Sequence, residues 1–309
     1  MNLVFLVGAS RSGTTWLQLL LSQSSRIATC QETHLFSGYL KSFSETLAFQ
    51  SNDVRSVGLR SLYNDDELLE VKRLIPQHTF SRVMNRKQGA DIVLEKTPDH
   101  VHCWREIVAL YPDARFIHLV RDPRSVVASM RATGAQWGNQ WADAGIASLS
   151  RNWVSAVSAG QQLVREAPLA RQVRYENIAP GGAAWLQELW AWLGVTESVT
   201  VAQQAFDNLS FASLAKAGAT NAYQPWNMSQ EPRGMWRKGD ANSWREELTR
   251  NEIAIVEAIC GEKMSQFDYS LHGSGKAPVG YKIFNWIETG AHSMQATGRT
   301  LFKNLRKIA

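Results

Sequence analysis

Apolar residues fall into short unbroken runs separated by stretches with helical spacing. Leu3-Val-Phe-Leu-Val7 is five apolar residues closed by Gly8, the pattern of a strand buried on both faces. Further strands are expected at 91–95, 115–120 and 171–175. Between them the spacing predicts helices over 13–24, 64–74, 100–110, 124–131, 142–166, 182–193, 199–206 and 249–262. Strands alternating with helices build an α/β fold, a parallel sheet flanked by helices on both faces. Such sheets bind ligands at the carboxyl ends of their strands. Residues 41–90 are polar and irregular, the composition of a lid or substrate wall. Ala179-Pro-Gly-Gly182 reads as a helix start, and 271–278 as the end of the compact domain. One domain is therefore expected over 1–270, followed by an extension over 271–309.

Composition narrows the classes. A chain of 309 residues, 44% hydrophobic, can bury a full core. Its net charge of +5 suits an anionic ligand, but the charges are scattered rather than gathered in a stripe, which argues against nucleic acid. Cys30, Cys103 and Cys260 lack CxxC spacing. They read as reduced thiols of a cytoplasmic compartment, with neither a disulfide framework nor a zinc site. The five-residue apolar run before Gly8 is too short for a signal peptide or a membrane span. Trp153, Trp185, Trp190 and Trp192 fall in helical patterns and are expected in the core.

The candidate chemistry starts in the loop after the first strand. Gly8-Ala-Ser-Arg-Ser-Gly-Thr-Thr15 joins a strand to a helix, an arrangement that points backbone N–H groups and a helix N-terminus at a phosphate. Gly8 and Gly13 fit the G-x-x-x-x-G-K-[ST] spacing of nucleoside-triphosphate loops, but Thr14 stands in the lysine position. That lysine reaches the β- and γ-phosphates, so its absence weighs against ATP or GTP hydrolysis. What remains is a cradle for a 5′-phosphate with Arg11 inside it. Glu32 and His34 stand two apart, and in an extended segment they share a face, where a carboxylate and an imidazole could take a proton from an acceptor. Lys96 ends a strand, because Pro98 forbids further pairing. Arg121 ends another, and Ser129 follows eight residues on along the next helix. Together they offer a guanidinium fork and a hydroxyl to one phosphate; mere capping of the helix start by Arg121-Asp-Pro-Arg124 is the lesser alternative.

These segments resemble those of sulfotransferases that use 3′-phosphoadenosine 5′-phosphosulfate (PAPS). Ser10-Arg-Ser-Gly-Thr-Thr-Trp-Leu17 looks like their 5′-phosphosulfate loop, and Arg121-x7-Ser129 is similar to their 3′-phosphate site. Arg237-Lys-Gly239, followed by Trp244, resembles the second 3′-phosphate segment of the cytosolic enzymes. Trp16, Tyr175 and Phe211 match aromatic positions that lie by the adenine. Glu32-x-His34-x-Phe36 and Glu95-Lys-Thr-Pro98 are similar to segments of heparan-type sulfotransferases, where the glutamate is the base, the histidine assists and the lysine lines the active site. Tyrosylprotein sulfotransferases also resemble the stretch around Glu32. The chain departs from the cytosolic pattern in having Arg11 for lysine and Leu209 for threonine.

The resemblance implies a P-loop-like α/β enzyme that moves the sulfuryl group of PAPS in line to an acceptor hydroxyl or amine, without a metal. Ser12, Gly13, Thr14, Thr15 and Arg11 would hold the 5′ end of the cofactor, whose spent form is adenosine 3′,5′-bisphosphate. The acceptor stays open: small molecule, glycan, lipid or peptide. A P-loop-type small-molecule kinase and a non-catalytic adenine-nucleotide binder are the alternatives. Residues 281–307 carry aromatic and aliphatic residues among five cations and one acid, Glu288. They read as amphipathic basic helix, able to dock on the domain or to lie on an anionic membrane surface.

Overall fold

A computed structural model describes residues 1–51, 58–136, 144–210, 213–214 and 241–273. Five strands, β1 (Asn2–Gly8), β2 (Ile27–Thr29), β3 (Ile92–Lys96), β4 (Arg115–Val120) and β5 (Ala170–Arg174), form one parallel sheet in the order β2-β3-β1-β4-β5. Four of these lie within a residue or two of the strands the sequence predicts. Strand β2 has only three residues, too few for a periodicity to declare itself.

Alternate residues of β1 feed two cores. Leu3, Phe5 and Val7 face one, and Val4 and Leu6 the other. On the first face Phe5 stacks on Phe116 at 5.5 Å and meets Phe36 edge-on at 5.6 Å. This face is covered by helices that include α5 (Pro123–Gln136) and α6 (Ile146–Glu166). The second face is covered by α1 (Thr14–Leu21), α7 (Ile178–Trp192) and α8 (Val199–Asn208). Strand β4 carries a fully buried His118, whose ring occupies space that a Cβ on Gly160 of α6 would fill. Burial pushes this imidazole down to about 4.

Residues 41–90 are more regular than expected: the helix predicted over 64–74 is present and runs on to Met84. They hold two helices, α2 (Lys41–Ser51) and α3 (Asp65–Met84). The acidic cluster at 64–67 is the start of α3: Asn64 and Glu67 form a reciprocal capping box. Pro76 lies within α3, which hid its length. The break at 179–182 is real, since Gly182 leaves helical geometry at φ 56° inside α7.

Register puts the chemistry on one rim. Leu6 pairs with Lys96, Gly8 with Leu119, and Val120 with Arg174. The loop after Gly8, the side chain of Lys96, and Arg121 and Tyr175 therefore all emerge at the carboxyl ends of neighbouring strands. Among the described residues no helix is long and apolar enough to cross a membrane. Cys30, Cys103 and Cys260 are free, and burial raises all three thiols, to about 12, 11 and 12, which disfavours the thiolate form.

Candidate active site

The loop between β1 and α1 requires both of its glycines. Gly8 passes so close to β4 that a Cβ there would lie 2.3 Å from the Leu119 carbonyl oxygen. Gly13, at φ 95°, abuts the Tyr175 ring, which an added Cβ would meet at 2.4 Å. Arg11 is held at φ 68°, a left-handed conformation costly to a residue with a side chain. Helix α1 starts after Gly13 without a side-chain cap, leaving first-turn N–H groups to point out of the helix end. Ser12 is fully buried, and its Oγ has no partner among the described residues. Uncapped amides, a buried hydroxyl with unmet capacity and an arginine in a strained turn are features that suit a phosphate.

Residues from distant strands converge on this loop. Arg11 Nε donates to Ser129 Oγ at 3.2 Å, joining the loop to α5. Arg121 places Nη1 3.5 Å from the Arg11 carbonyl, and its guanidinium lies 4.1 Å above the Tyr175 ring. Tyr175 and Trp16 lean on each other at 5.7 Å, and Trp16 Nε1 donates to the Leu209 carbonyl at 2.8 Å. Thr14 is buried at the first turn of α1, and Thr15 is half-buried beside it. Phe211, Arg237, Lys238 and Gly239 lie outside the described residues, as does 274–309. Ala241, two residues past Gly239, is tied to α5 through its carbonyl, which accepts from Ser125 Oγ at 2.8 Å.

A second group gathers beside the loop. Lys96, its side chain 4% exposed, donates to Glu32 Oε1 at 2.5 Å, and His34 Nε2 stands 3.6 Å from Glu32 Oε2. The partner of Lys96 is thus Glu32, 64 residues away. The segment is not simply extended: His34 turns left-handed at φ 49° and starts a π-helical turn, Leu35–Leu40. Glu32 is half exposed and reachable, while its position is set by a buried lysine.

No local pattern along the chain marks what holds this segment in place. Glu95 and His100 are buried, with His100 Nδ1 2.9 Å from Glu95 Oε2. The Phe36 N–H donates to His100 Nε2 at 3.1 Å, so Nδ1 carries the proton and donates to Glu95. Glu95 Oε1 also accepts from Thr97 Oγ1 at 2.6 Å and Thr33 Oγ1 at 2.8 Å. Thr97 Oγ1 in turn accepts from the Thr33 N–H at 3.1 Å. The chain on both sides of His34 is therefore bonded to one buried carboxylate system. Burial alone would raise Glu95. The His100 ring beside it and the hydroxyls of Thr97 and Thr33 outweigh that and lower it. Replacing Glu95 by Ala would leave three donors without this acceptor, the buried Thr97 and His100 and the partly buried Thr33. Unfolding free energy should fall by about 3 kcal/mol, as read by denaturant titration. A loss below about 1 kcal/mol would mean that the network does not hold the segment.

Arg124, which enters the sequence reading only as a helix-capping residue, is structural. It is buried, paired with Asp122 and Glu257 at 2.7 Å each, and packed 4.0 Å over Trp244. Glu257 also accepts from the backbone N–H groups of His272 and Gly273. This fixes the loop that carries Arg121 against helix α10 (Arg250–Ser265). Among the described residues no group of three or more His, Cys, Asp and Glu side chains is arranged to hold a metal ion.

The model of the Sulfotransferase family matches residues 4–226. A protein-tyrosine sulfotransferase of Drosophila melanogaster is 26% identical over 137 residues, 42% of this chain and 25% of its own. Carbohydrate sulfotransferase 3 of Tetronarce californica is 26% identical over 171 residues, 51% of this chain and 36% of its own. The chain thus spans only a minor part of the length of either relative. Mouse sulfotransferase SULT7A1, crystallised with PAP, shares the fold at TM-score 0.54 and 16% identity over 86% of each chain. The sulfotransferase domain of the Synechococcus PCC 7002 olefin synthase does so at 0.52 and 19%, over 88% of this chain and 96% of that one.

Proposed function

The chain belongs to the sulfotransferase family, and from that premise we propose that it transfers the sulfuryl group of PAPS to an acceptor hydroxyl or amine, with Glu32 as general base. The observation that carries this reading is the meeting of Arg11 with Ser129, which joins a glycine loop to a helix 118 residues on at the sheet's carboxyl rim. In this proposal Arg11, Ser12, Gly13, Thr14 and Thr15 hold the 5′-phosphosulfate. Arg121 and Ser129, with Arg237, Lys238 and Gly239, hold the 3′-phosphate. Trp16, Tyr175 and Phe211 serve the adenine side. The family's crystallised relative SULT7A1 carries PAP, the spent form of that donor. The working domain is taken as 1–270, with 271–309 appended.

Bound PAPS supplies a sulfuryl group activated by its 5′-phosphate. The residues of this chain then divide the work. Glu32 takes the proton of the acceptor as it attacks in line, and Lys96 fixes the carboxylate that does so. His34 sits beside the other carboxylate oxygen and steadies it. Arg11, with the first amides of α1, offsets the negative charge that develops on the transferred group and on the leaving phosphate. Arginine holds its proton tightly, so Arg11 acts by charge and hydrogen bonding rather than by donating a proton.

Incubating the full chain with PAPS or with ATP, against a panel of sugars, phenols, alcohols and tyrosine peptides, tests the donor. Sulfated product from PAPS, with ATP untouched, is the expected result. ATP consumption without PAPS consumption would mean a kinase. Nucleotide binding with neither donor consumed would mean a non-catalytic binder.

A further inference from the structure

We propose that Glu176 is a positioning residue of the nucleotide site, fixing the loop that carries Arg121 against Tyr175; the roles of those two residues rest on the sulfotransferase reading. Sheet register alone does not fix them. Val120 of β4 pairs with Arg174 of β5, and the ladder ends there. Arg121 and Tyr175 then leave neighbouring strand ends as separate chains. Glu176 supplies the next tie. Its Oε1 accepts from the Asp122 N–H at 3.0 Å. The residue after Arg121 is thereby bonded to the residue after Tyr175, and the β4–β5 pairing continues past its end through a side chain.

The carboxylate is itself held. Its Oε2 accepts from the Tyr269 hydroxyl at 2.7 Å. Tyr269 lies just past α10 and is buried, with the Arg174 guanidinium 4.7 Å from its ring centre. Burial and the nearby carboxylate raise the phenol, so it keeps its proton and stays a donor. With a donor on each oxygen, Glu176 links α10 to both strand ends. Tyr175 has further supports of its own. It is buried, Trp16 leans on it at 5.7 Å, and a Cβ on Gly13 would meet its ring at 2.4 Å. Loss of Glu176 therefore loosens the Arg121 side of the pair and leaves the aromatic side in place.

Calorimetry of the full chain with PAP and with 5′-AMP tests this. Glu176→Ala should weaken PAP binding about three- to tenfold, the worth of one hydrogen bond, and 5′-AMP binding by less than about twofold. Glu176→Gln should recover most of the loss, because its amide oxygen can still accept from the Asp122 N–H. In an Arg121→Ala background, adding Glu176→Ala should change PAP affinity by less than about twofold, since the residue through which Glu176 acts is gone. A general loss of stability would not produce that non-additivity. Tyr269→Phe removes only the far hydroxyl; it should weaken PAP in the same direction by a smaller factor, and it carries the same cycle if the alanine variant does not fold. Additive losses in the double variant, or equal losses for the two nucleotides, would overturn the positioning role. A wild-type preference for PAP that survives both Glu176→Ala and Tyr269→Phe would defeat that role alone. A wild type that binds PAP no more tightly than 5′-AMP would defeat it together with the donor reading.

Discussion

Glu32→Gln should lower turnover by roughly 10²–10⁴-fold while affinity for adenosine 3′,5′-bisphosphate stays unchanged. The amide keeps the shape of the side chain and its oxygen can still face Lys96, whose Nζ lies 2.5 Å from Glu32 Oε1. It cannot take a proton. The nucleotide is assigned to the loop and to Arg121 and Ser129, away from this carboxylate, so binding and turnover should separate. Steady-state rates with PAPS, together with calorimetry of the spent cofactor, make the measurement. Turnover within a few-fold of the wild type would remove Glu32 from the mechanism and leave the Lys96 pair as a structural contact.

Arg121→Ala should weaken binding of adenosine 3′,5′-bisphosphate by about 1.5–3 kcal/mol, roughly 10- to 160-fold. The guanidinium is braced from two sides, lying 4.1 Å above Tyr175 and 3.5 Å from the Arg11 carbonyl. The loop that carries it is pinned by the buried Asp122–Arg124–Glu257 cluster. A fork held this firmly spends little entropy on meeting a phosphate. Arg121→Lys should recover only part of the loss, because a point charge replaces a planar pair of donors. Binding of 5′-AMP should change far less in either variant. An equal loss for both nucleotides would mean that Arg121 supports the fold and not the 3′-phosphate.

The parts of the molecule legible in the sequence are those fixed by local patterns. Strands β1, β3 and β4 are buried on both faces and so appear as mainly apolar runs, whereas β5, at the sheet edge, buries only Val173. The Gly8–Thr15 loop is legible because its turn and its chemistry occupy eight consecutive residues. The Glu32–Lys96 pair was only half legible. Each residue could be placed on the rim, but a contact across 64 residues follows from sheet order and register, which no local pattern encodes. The Glu95–His100 network was illegible for the same reason. A glutamate next to a lysine near a strand end gives no sign that it is fully enclosed and bonded to Thr33, Thr97 and His100. Within 41–90 the start of α3 was legible but its run past residue 74 was not, because α3 is only partly buried and has Pro76 in its interior, so its apolar stripe is weak.

Calorimetric comparison of adenosine 3′,5′-bisphosphate with 5′-AMP on the unmodified protein tests the donor assignment most directly. The two ligands differ only in the phosphate assigned to Arg121, Ser129 and the Arg237-Lys238-Gly239 segment. A 3′-phosphate site there predicts that the bisphosphate binds at least about tenfold more tightly. Equal affinity for the two would contradict a PAPS site in this chain.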